Sequence, residues 1–412
     1  MSAAVAEPAE IALHLPRLHV GQERIRRTLK RYNHCRMGRR WGKTVFGLDY
    51  LIDDHGGIKG ALEGAPVAWF APTNKMLGDA WRDAKRLLSP LIRHKDERDK
   101  RIELVTNGIL DMWSMEPDDP ARGRKYAKVV VDEASVVRNM LEKWQQAISP
   151  TLTDYRGGAF FSSTPKGRND FWKLEQLARA TDPKSWAFFH APTSENPYIH
   201  SEEIEAKGRE LPSLIFRQEY LAEYVDLGGG LVKPEWMKPG APPIDFPVVL
   251  GVDLAISTDS DADFTAIVAL SRDRGGNIYV LGAYRFRGTF NKILEQITMS
   301  ATRYKPIAIA IENNQFQTAV VQELLRTTKL PVRGVRSDKD KYTAFLPLAA
   351  RYEQGLIYHG EGLPPYFADE IVSFTGAKDD HDDMVDALRI AFNALPATGI
   401  SIVGGGQREA AN

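Results

Sequence analysis

GRRWGKT (residues 38–44) closes on Gly42, Lys43 and Thr44, and AKVVVDEAS (127–135) carries an apolar run into Asp132 and Glu133. A glycine, lysine and hydroxyl residue at a strand-to-helix turn let backbone N–H groups wrap a phosphate. They also bring an ammonium to the β- and γ-phosphates and offer a hydroxyl to Mg2+. An apolar strand ending in paired acids supplies one carboxylate to hold Mg2+ through water and a second to orient or deprotonate an attacking water. Either stretch alone is equally a surface turn or a strand end. Together they predict a nucleoside-triphosphate site, with Gly38, Arg39, Gly42, Lys43, Thr44 and Asp132 binding nucleotide and Glu133 acting on water. The spacing departs from the usual pattern. The first glycine is expected at position 37, which is Met37, and Gly38 leaves three residues where four are the rule.

Outward from these stretches, PVAWFAP (66–72) and GAFFSSTP (158–165) are further buried-strand runs, with the helical KMLGDAWRDAKRLLSPLI (75–92) after the first of them. Apolar runs with helices between them predict a parallel sheet in an α/β layer fold. Ser162, Ser163 and Thr164 end the last run, where hydroxyls can sense a γ-phosphate; alone they read as a cap or turn. A cationic group on the transition-state oxygens is also needed. Arg39, Arg40, Arg122, Arg124 and Arg156 are candidates, and sequence does not choose among them. Gln22 either reads an adenine edge or is a polar residue of an N-terminal helix. Residues 21–40 hold eight Lys or Arg against the single acid Glu23, which predicts a basic arm or helix.

The second half opens on three strand-like runs in quick succession, FPVVLGVDLA, DFTAIVALSRD and NIYVLGAYRF, the last two joined at Gly275 and Gly276. A helix (290–304), a strand (306–314), a helix (317–328), a strand near 331–336 and helices near 342–354, 365–375 and 382–395 follow. Asp253 ends the first run, Glu312 the fourth, and HDDMVDAL sets Asp382, Asp383 and Asp386 on the last helix, with 383 and 386 on one face. An acid flanked by Val, Ile and Leu is costly unless paired or bound to metal. Oxygen donors alone suit Mg2+ or Mn2+, and two such ions clamp the attacking and leaving oxygens of a phosphodiester. His381 is a candidate proton shuttle or a helix cap.

At 412 residues, with 43% apolar and 26% charged side chains, the chain calls for two domains. Residues 226–246 contain four Gly and four Pro without helical or alternating period, the composition of a linker. The expected division is 1–225, linker 226–246, 247–396, and a disordered tail at 397–412. No apolar run approaches the ~18–20 residues of a membrane span, and the acidic MSAAVAEPAE does not resemble a signal peptide, so a soluble, unexported protein is expected. The one cysteine, Cys35, excludes an internal disulfide and a cysteine-based zinc cage. Lys plus Arg number 54 and so do Asp plus Glu. Neutrality argues against a nucleic-acid partner only until it is divided: residues 1–240 carry four more basic than acidic side chains, and residues 241–412 the reverse.

In this order and on a chain of this length, the motifs resemble the large subunit of bacteriophage DNA-packaging terminases. The carriers are Gln22, GRRWGKT, APTNK (71–75), ARGRKYAKVVVDEAS (121–135), SSTPKGRNDFW (162–172), FRQEYLAEY (216–224), GVDLA, DFTA, IENN and HDDMVDAL, and the likeness extends over about residues 18–396. Terminases commonly have a deviant phosphate loop of this form. The resemblance implies an N-terminal ATPase of the additional-strand, catalytic-glutamate class and a C-terminal nuclease with the RNase H/RuvC-like fold. It implies that Glu133 is the catalytic base of ATP hydrolysis, that the SSTP segment couples hydrolysis to movement, and that Asp253, Glu312 and Asp382, Asp383 and Asp386 bind the nuclease metals. Double-stranded DNA, a portal and procapsid, a small terminase subunit, a ring on the portal and the host cytoplasm are the implied partners and setting. The rival expectation is a helicase-like or repair translocase fused to a resolvase-like nuclease.

Overall fold

Residues 11–225, 229–240, 246–255, 264–312, 318–335, 340–376, 379 and 382–396 are described by the computed structural model. Contacts along the chain divide it into one unit of Met1–Gly208 with Ser213–Asp226 and a second of Arg209–Pro212 with Leu227–Asn412.

The first unit is built on β1 (Tyr32–Met37), β2 (Pro66–Ala71), β3 (Ile92–Asp96), β4 (Arg101–Leu104), β5 (Ile109–Ser114), β6 (Lys128–Asp132), β7 (Gly158–Ser163) and β8 (Trp186–Ala191). Their order in the sheet is β3-β4-β5-β2-β6-β7-β1-β8. From β5 to β8 all neighbours run parallel. The expected parallel sheet carries an antiparallel edge, where β3 pairs with β4 and β4 with β5. β3 and β4 read IRHKD and RIEL, charged edge segments with no continuous apolar run to betray them. β7 lies between β1 and β6, so a strand is added between the phosphate-loop strand and the strand that ends in Asp132.

Alternation of side chains along each strand feeds two cores. Trp69 and Val130 join the cluster that contains Phe46 and Leu51, whereas Phe70, Val129 and Val131 join the one that contains Trp144 and Phe161. Burial on both faces explains why VVV and AFF read as unbroken apolar runs. Parallel pairing also brings the carboxyl ends of β1, β6 and β7 to one edge, where ligands bind in such sheets. The basic stretch 21–40 is not an arm: it contributes helix Val20–Arg26, β1 and the phosphate loop. Arg24 and Arg26 pair with Glu195 and Asp53 at 2.8 and 2.7 Å.

The second unit contains β9 (Lys238–Pro239), β10 (Val248–Asp253), β11 (Thr265–Arg272), β12 (Ile278–Phe286), β13 (Ala308–Glu312), β14 (Val332–Val335) and β15 (Ile357–His359), in the order β14-β13-β10-β11-β12-β15-β9. β10, β11 and β12 form an antiparallel meander, and β13 and β14 extend it in parallel from β10. Helices Phe290–Tyr304, Thr318–Thr327, Lys341–Glu353, Pro365–Ser373 and Asp383–Ala394 complete the unit. Residues 229–240, read from composition as linker, are packed: Val232 is buried, Leu231 N–H donates to Phe374 O at 3.0 Å, and β9 pairs with β15. Gly and Pro punctuate this segment, but Leu231 and Val232 anchor it. The tail at 397–412 and His381 lie outside the described residues.

Candidate functional sites

In the first unit, β1 ends in Met37, whose side chain is fully buried in the sheet. Position 37 therefore serves the strand core, which explains the missing first glycine. Gly38 is set by close approach: a Cβ there would lie 2.4 Å from Thr193 Oγ1 and 2.6 Å from Tyr220 O. Gly42, at φ 104°, opens helix Lys43–Ile52, with Thr44 its second residue. Gln22 donates through Nε2 to Gly42 O at 3.1 Å and accepts from His19 N–H at 3.0 Å. Its amide thus braces the phosphate loop.

Lys43 Nζ donates to Thr164 Oγ1 at 3.0 Å and lies 3.1 Å from Glu133 Oε1. The phosphate loop, the acid pair and the SSTP segment therefore meet at one ammonium. Glu133 holds a left-handed backbone (φ 46°, ψ 43°), strained for a residue with a Cβ, and its carbonyl accepts from Val136 N–H at 2.9 Å. Its Oε2 accepts from Ser163 Oγ at 3.3 Å, and Asp132 Oδ1 accepts from Ser162 Oγ at 2.9 Å. Desolvation, then the charge of Glu133, pushes the Asp132 carboxyl up to about 6.

Three residues not assigned to this site from sequence, Ser135, Glu219 and Lys166, join it, each from a stretch that carries the resemblance. Ser135 Oγ lies 2.6 Å from Ser163 Oγ and 2.6 Å from Thr164 O, and its N–H donates to Ser163 Oγ at 3.1 Å. Glu219 accepts from both Arg39 and Lys166, which joins the phosphate loop to the segment after SSTP. Against the upward push of burial, Lys166 and Arg39 hold the Glu219 carboxyl below its ordinary range. Of the other candidate arginines, Arg122 pairs with Asp119 at 3.1 Å and Arg124 stacks over Trp113.

In the second unit, the register of β10 and β13 sets Val252 against Ile311, so Asp253 and Glu312 emerge at neighbouring strand ends. Helix Asp383–Ala394 packs against β10 and approaches it tightly at Gly251, where a Cβ would lie 2.2 Å from Ala387 O. Burial, then the charges of Asp386, Glu312 and Asp383, raises the Asp253 carboxyl well above the usual carboxylate range. The five acids are thus drawn to one end of this sheet.

Two cations join them, neither anticipated from sequence. Lys341 Nζ lies 2.6 Å from Asp382 Oδ2 and 2.7 Å from Asp386 Oδ2. Arg389 lies 3.0 Å from Asp386 Oδ1 and 3.5 Å from Glu312 Oε2. Among the described residues no three acidic, histidine or cysteine side chains already converge on a point that would hold an ion; both oxygens of Asp386 face these cations instead. Negative charge nonetheless remains in excess, with Asp253, Glu312, Asp382, Asp383 and Asp386 against Lys341 and Arg389, and every donor is oxygen.

The two units define a class: an α/β unit with a strand added between the strand before GRRWGKT and the strand that ends in Asp132, joined in one chain to an RNase H-like unit with acids at its strand ends. Residues 250–395 match the family described as Terminase RNaseH-like domain. The chain is 28% identical over 183 residues to the terminase large subunit of Escherichia phage T5, covering 43% of this chain and 41% of that protein. It is 32% identical over 125 residues to the terminase large subunit of Thermus virus P23-45, covering 27% and 25%. These alignments span less than half the length of the relatives. In fold it is similar to the large terminase of a thermophilic bacteriophage, at TM-score 0.54 and 15% identity over 92% of this chain and 99% of that one. A second structure of that terminase, in complex with ADP, gives TM-score 0.54 at 16% identity over 91% and 98%.

Proposed function

We propose that the protein is the large subunit of a viral terminase: a motor that hydrolyses ATP to drive double-stranded DNA through a portal into a procapsid, and an endonuclease that cuts concatemeric DNA at the start and end of packaging. The observation that carries this reading is the coexistence in one chain of Lys43 beside Glu133 and Thr164 with Asp253 and Glu312 on adjoining strand ends. A small terminase subunit, a portal and a ring of copies are its proposed partners, in the host cytoplasm.

In the motor, amides at the start of helix Lys43–Ile52 and the Lys43 ammonium bind the phosphates. Thr44 and Asp132 would hold Mg2+ there. Glu133 takes the proton from the attacking water, and Ser163 orients its carboxylate. Thr164, bonded to Lys43, senses the γ-phosphate. A cavity of about 390 Å³ beside the same helix, lined by Leu13, Pro16, Val45, Leu48, Arg86 and Leu87 among others, is the proposed seat of the base.

In the nuclease, the all-oxygen donor set fits a hard divalent cation. Asp253, Glu312 and Asp383, with Asp382 and Asp386, would hold Mg2+ or Mn2+. When bound, such ions stabilise charge on the attacking and leaving oxygens of a phosphodiester. Lys341 and Arg389 meanwhile limit repulsion among the acids.

Translocation is tested by ATP-dependent displacement of a third-strand oligonucleotide from linear duplex DNA by the protein assembled on portal-bearing procapsids. The parent is expected to displace it and Lys43→Ala to fail. Strand separation of a forked duplex without displacement from the intact duplex would refute packaging in favour of a helicase.

A further inference from the structure

Helix Asp383–Ala394 carries two of the acids and has a third, Asp382, at its N-cap, and its own first residues do not cap it. Asp382 occupies the N-cap position without a side-chain cap bond, and its carboxylate faces Lys341. The two amides that a cap would satisfy, Met384 N–H and Val385 N–H, donate instead to Glu370 Oε1, at 2.5 and 3.4 Å, from helix Pro365–Ser373. Glu370 is buried, and its other oxygen accepts from Arg285 Nη1 at 2.9 Å. The Arg285 guanidinium lies over the rings of Phe264 and Tyr366, 4.6 Å from each centroid. Phe264 N–H in turn donates to Asp383 Oδ2 at 3.4 Å. A closed circuit of contacts thus runs from Glu370 through the helix end to Asp383, then through Phe264 and Arg285 back to Glu370.

We propose that Glu370 and Arg285 are positioning residues of the nuclease site: Glu370 caps the acid-bearing helix from outside, which leaves Asp382 and Asp383 for the metal, and Arg285 locks Glu370 and Phe264 in place. The inference rests on the proposed reading of the acids as a metal site. A capping acid one helix away fixes the rotation and height of Asp383–Ala394 on the sheet, and with them the directions of Asp383 and Asp386. An Asp382 obliged to cap its own helix would turn toward Met384 and Val385 and away from the other acids. Partners of this kind typically change metal affinity by about 10- to 100-fold when removed.

The test is calorimetric titration of Mn2+ into the full chain, with the Mn2+-induced rise in melting temperature measured in parallel. Glu370→Ala is expected to weaken Mn2+ binding about tenfold or more and to shrink the Mn2+-induced rise in melting temperature, with ATP hydrolysis retained. Glu370→Gln keeps an acceptor for Met384 N–H and is expected to recover most of the affinity. A merely structural role would lower the melting temperature equally with and without Mn2+, and that result overturns the proposal, as does a Gln variant no better than Ala. If Glu370→Ala does not fold, Arg285→Met, which keeps bulk between Phe264 and Tyr366, is read in the same way. Parent-like Mn2+ binding by the folded variant overturns the positioning role alone. A parent that binds no Mn2+ at this unit overturns the metal reading and this proposal with it.

Discussion

Gly251→Ala perturbs the second unit where helix Asp383–Ala394 approaches β10 tightly. A Cβ at residue 251 would stand 2.2 Å from Ala387 O and 2.3 Å from Ala391 N, both backbone atoms of helix Asp383–Ala394. Ordinary contact begins at 3.4 Å, so the helix must retreat by about 1.2 Å or tilt. No flexible side chain stands at those two contacts to absorb the methyl. Overpacking of this kind costs about 1–3 kcal/mol, which for a unit of this size lowers its melting temperature by roughly 2–12 °C. Asp383 and Asp386 ride on the displaced helix, and Asp253 stands two residues beyond the substitution on β10. A misplacement of about 1 Å among reacting groups can cost ~100-fold in rate, so plasmid cleavage in Mn2+ should fall by about that factor. ATP hydrolysis, whose residues lie in the first unit, should keep its parental rate. Both are measured on one preparation, by gel for nicking and linearisation and by phosphate release for ATP. Parental cleavage by a folded Gly251→Ala protein would refute the reasoning.

Two further outcomes follow from the first unit. Ser135→Ala removes the hydroxyl that holds Ser163 and Thr164 O; loss of about 1–1.5 kcal/mol of hydrogen bonding should lower the kcat of ATP hydrolysis about tenfold with little change in KM, and an unchanged kcat would count against it. His34, buried in β1 with Nε2 on Phe171 O at 3.0 Å, has its pKa pushed down to about 4 by burial, which outweighs Glu175. The unfolded chain therefore takes up this proton first. The stability present above pH 6.5 is lost as pH falls to about 4, by up to roughly 3 kcal/mol. Denaturant titrations across that range should show a flatter pH dependence for His34→Asn; identical slopes would exclude His34 as a source.

What was legible before the structure follows from what each residue does. β6 and β10 declare themselves because both faces of each strand are buried and the apolar run stops at an acid. The same signal picks out Asp132, Asp253 and Glu312. β1, in contrast, reads YNHCRM: Asn33 and His34 are fully buried but bonded to Lys30 O, Ala159 O and Phe171 O. A strand that buries polar side chains on partners outside the strand carries no apolar signature. Glu219, Lys341 and Glu370 have partners across the fold, where no sequence spacing points to them; Lys166, legible as part of the basic KGR at 166–168, pairs with Glu219. Arg389 alone left a trace, three residues after Asp386 on one helix face. Gln22, read from sequence as an adenine contact or a polar residue of an N-terminal helix, sits in helix Val20–Arg26 with its amide on Gly42 O and His19 N–H. The neutral 54 against 54 conceals an excess of four basic side chains in residues 1–240 and of four acidic ones in residues 241–412.

The central claim is that one chain holds two separable chemistries, ATP hydrolysis at Glu133 and metal-dependent DNA cleavage at Asp253. Its most direct test is to measure both activities in parent, Glu133→Ala and Asp253→Ala proteins side by side. Glu133→Ala should lose ATP turnover and still cut plasmid DNA in Mn2+, and Asp253→Ala should do the reverse. Parental DNA cleavage by Asp253→Ala, or parental ATP turnover by Glu133→Ala, would contradict the account.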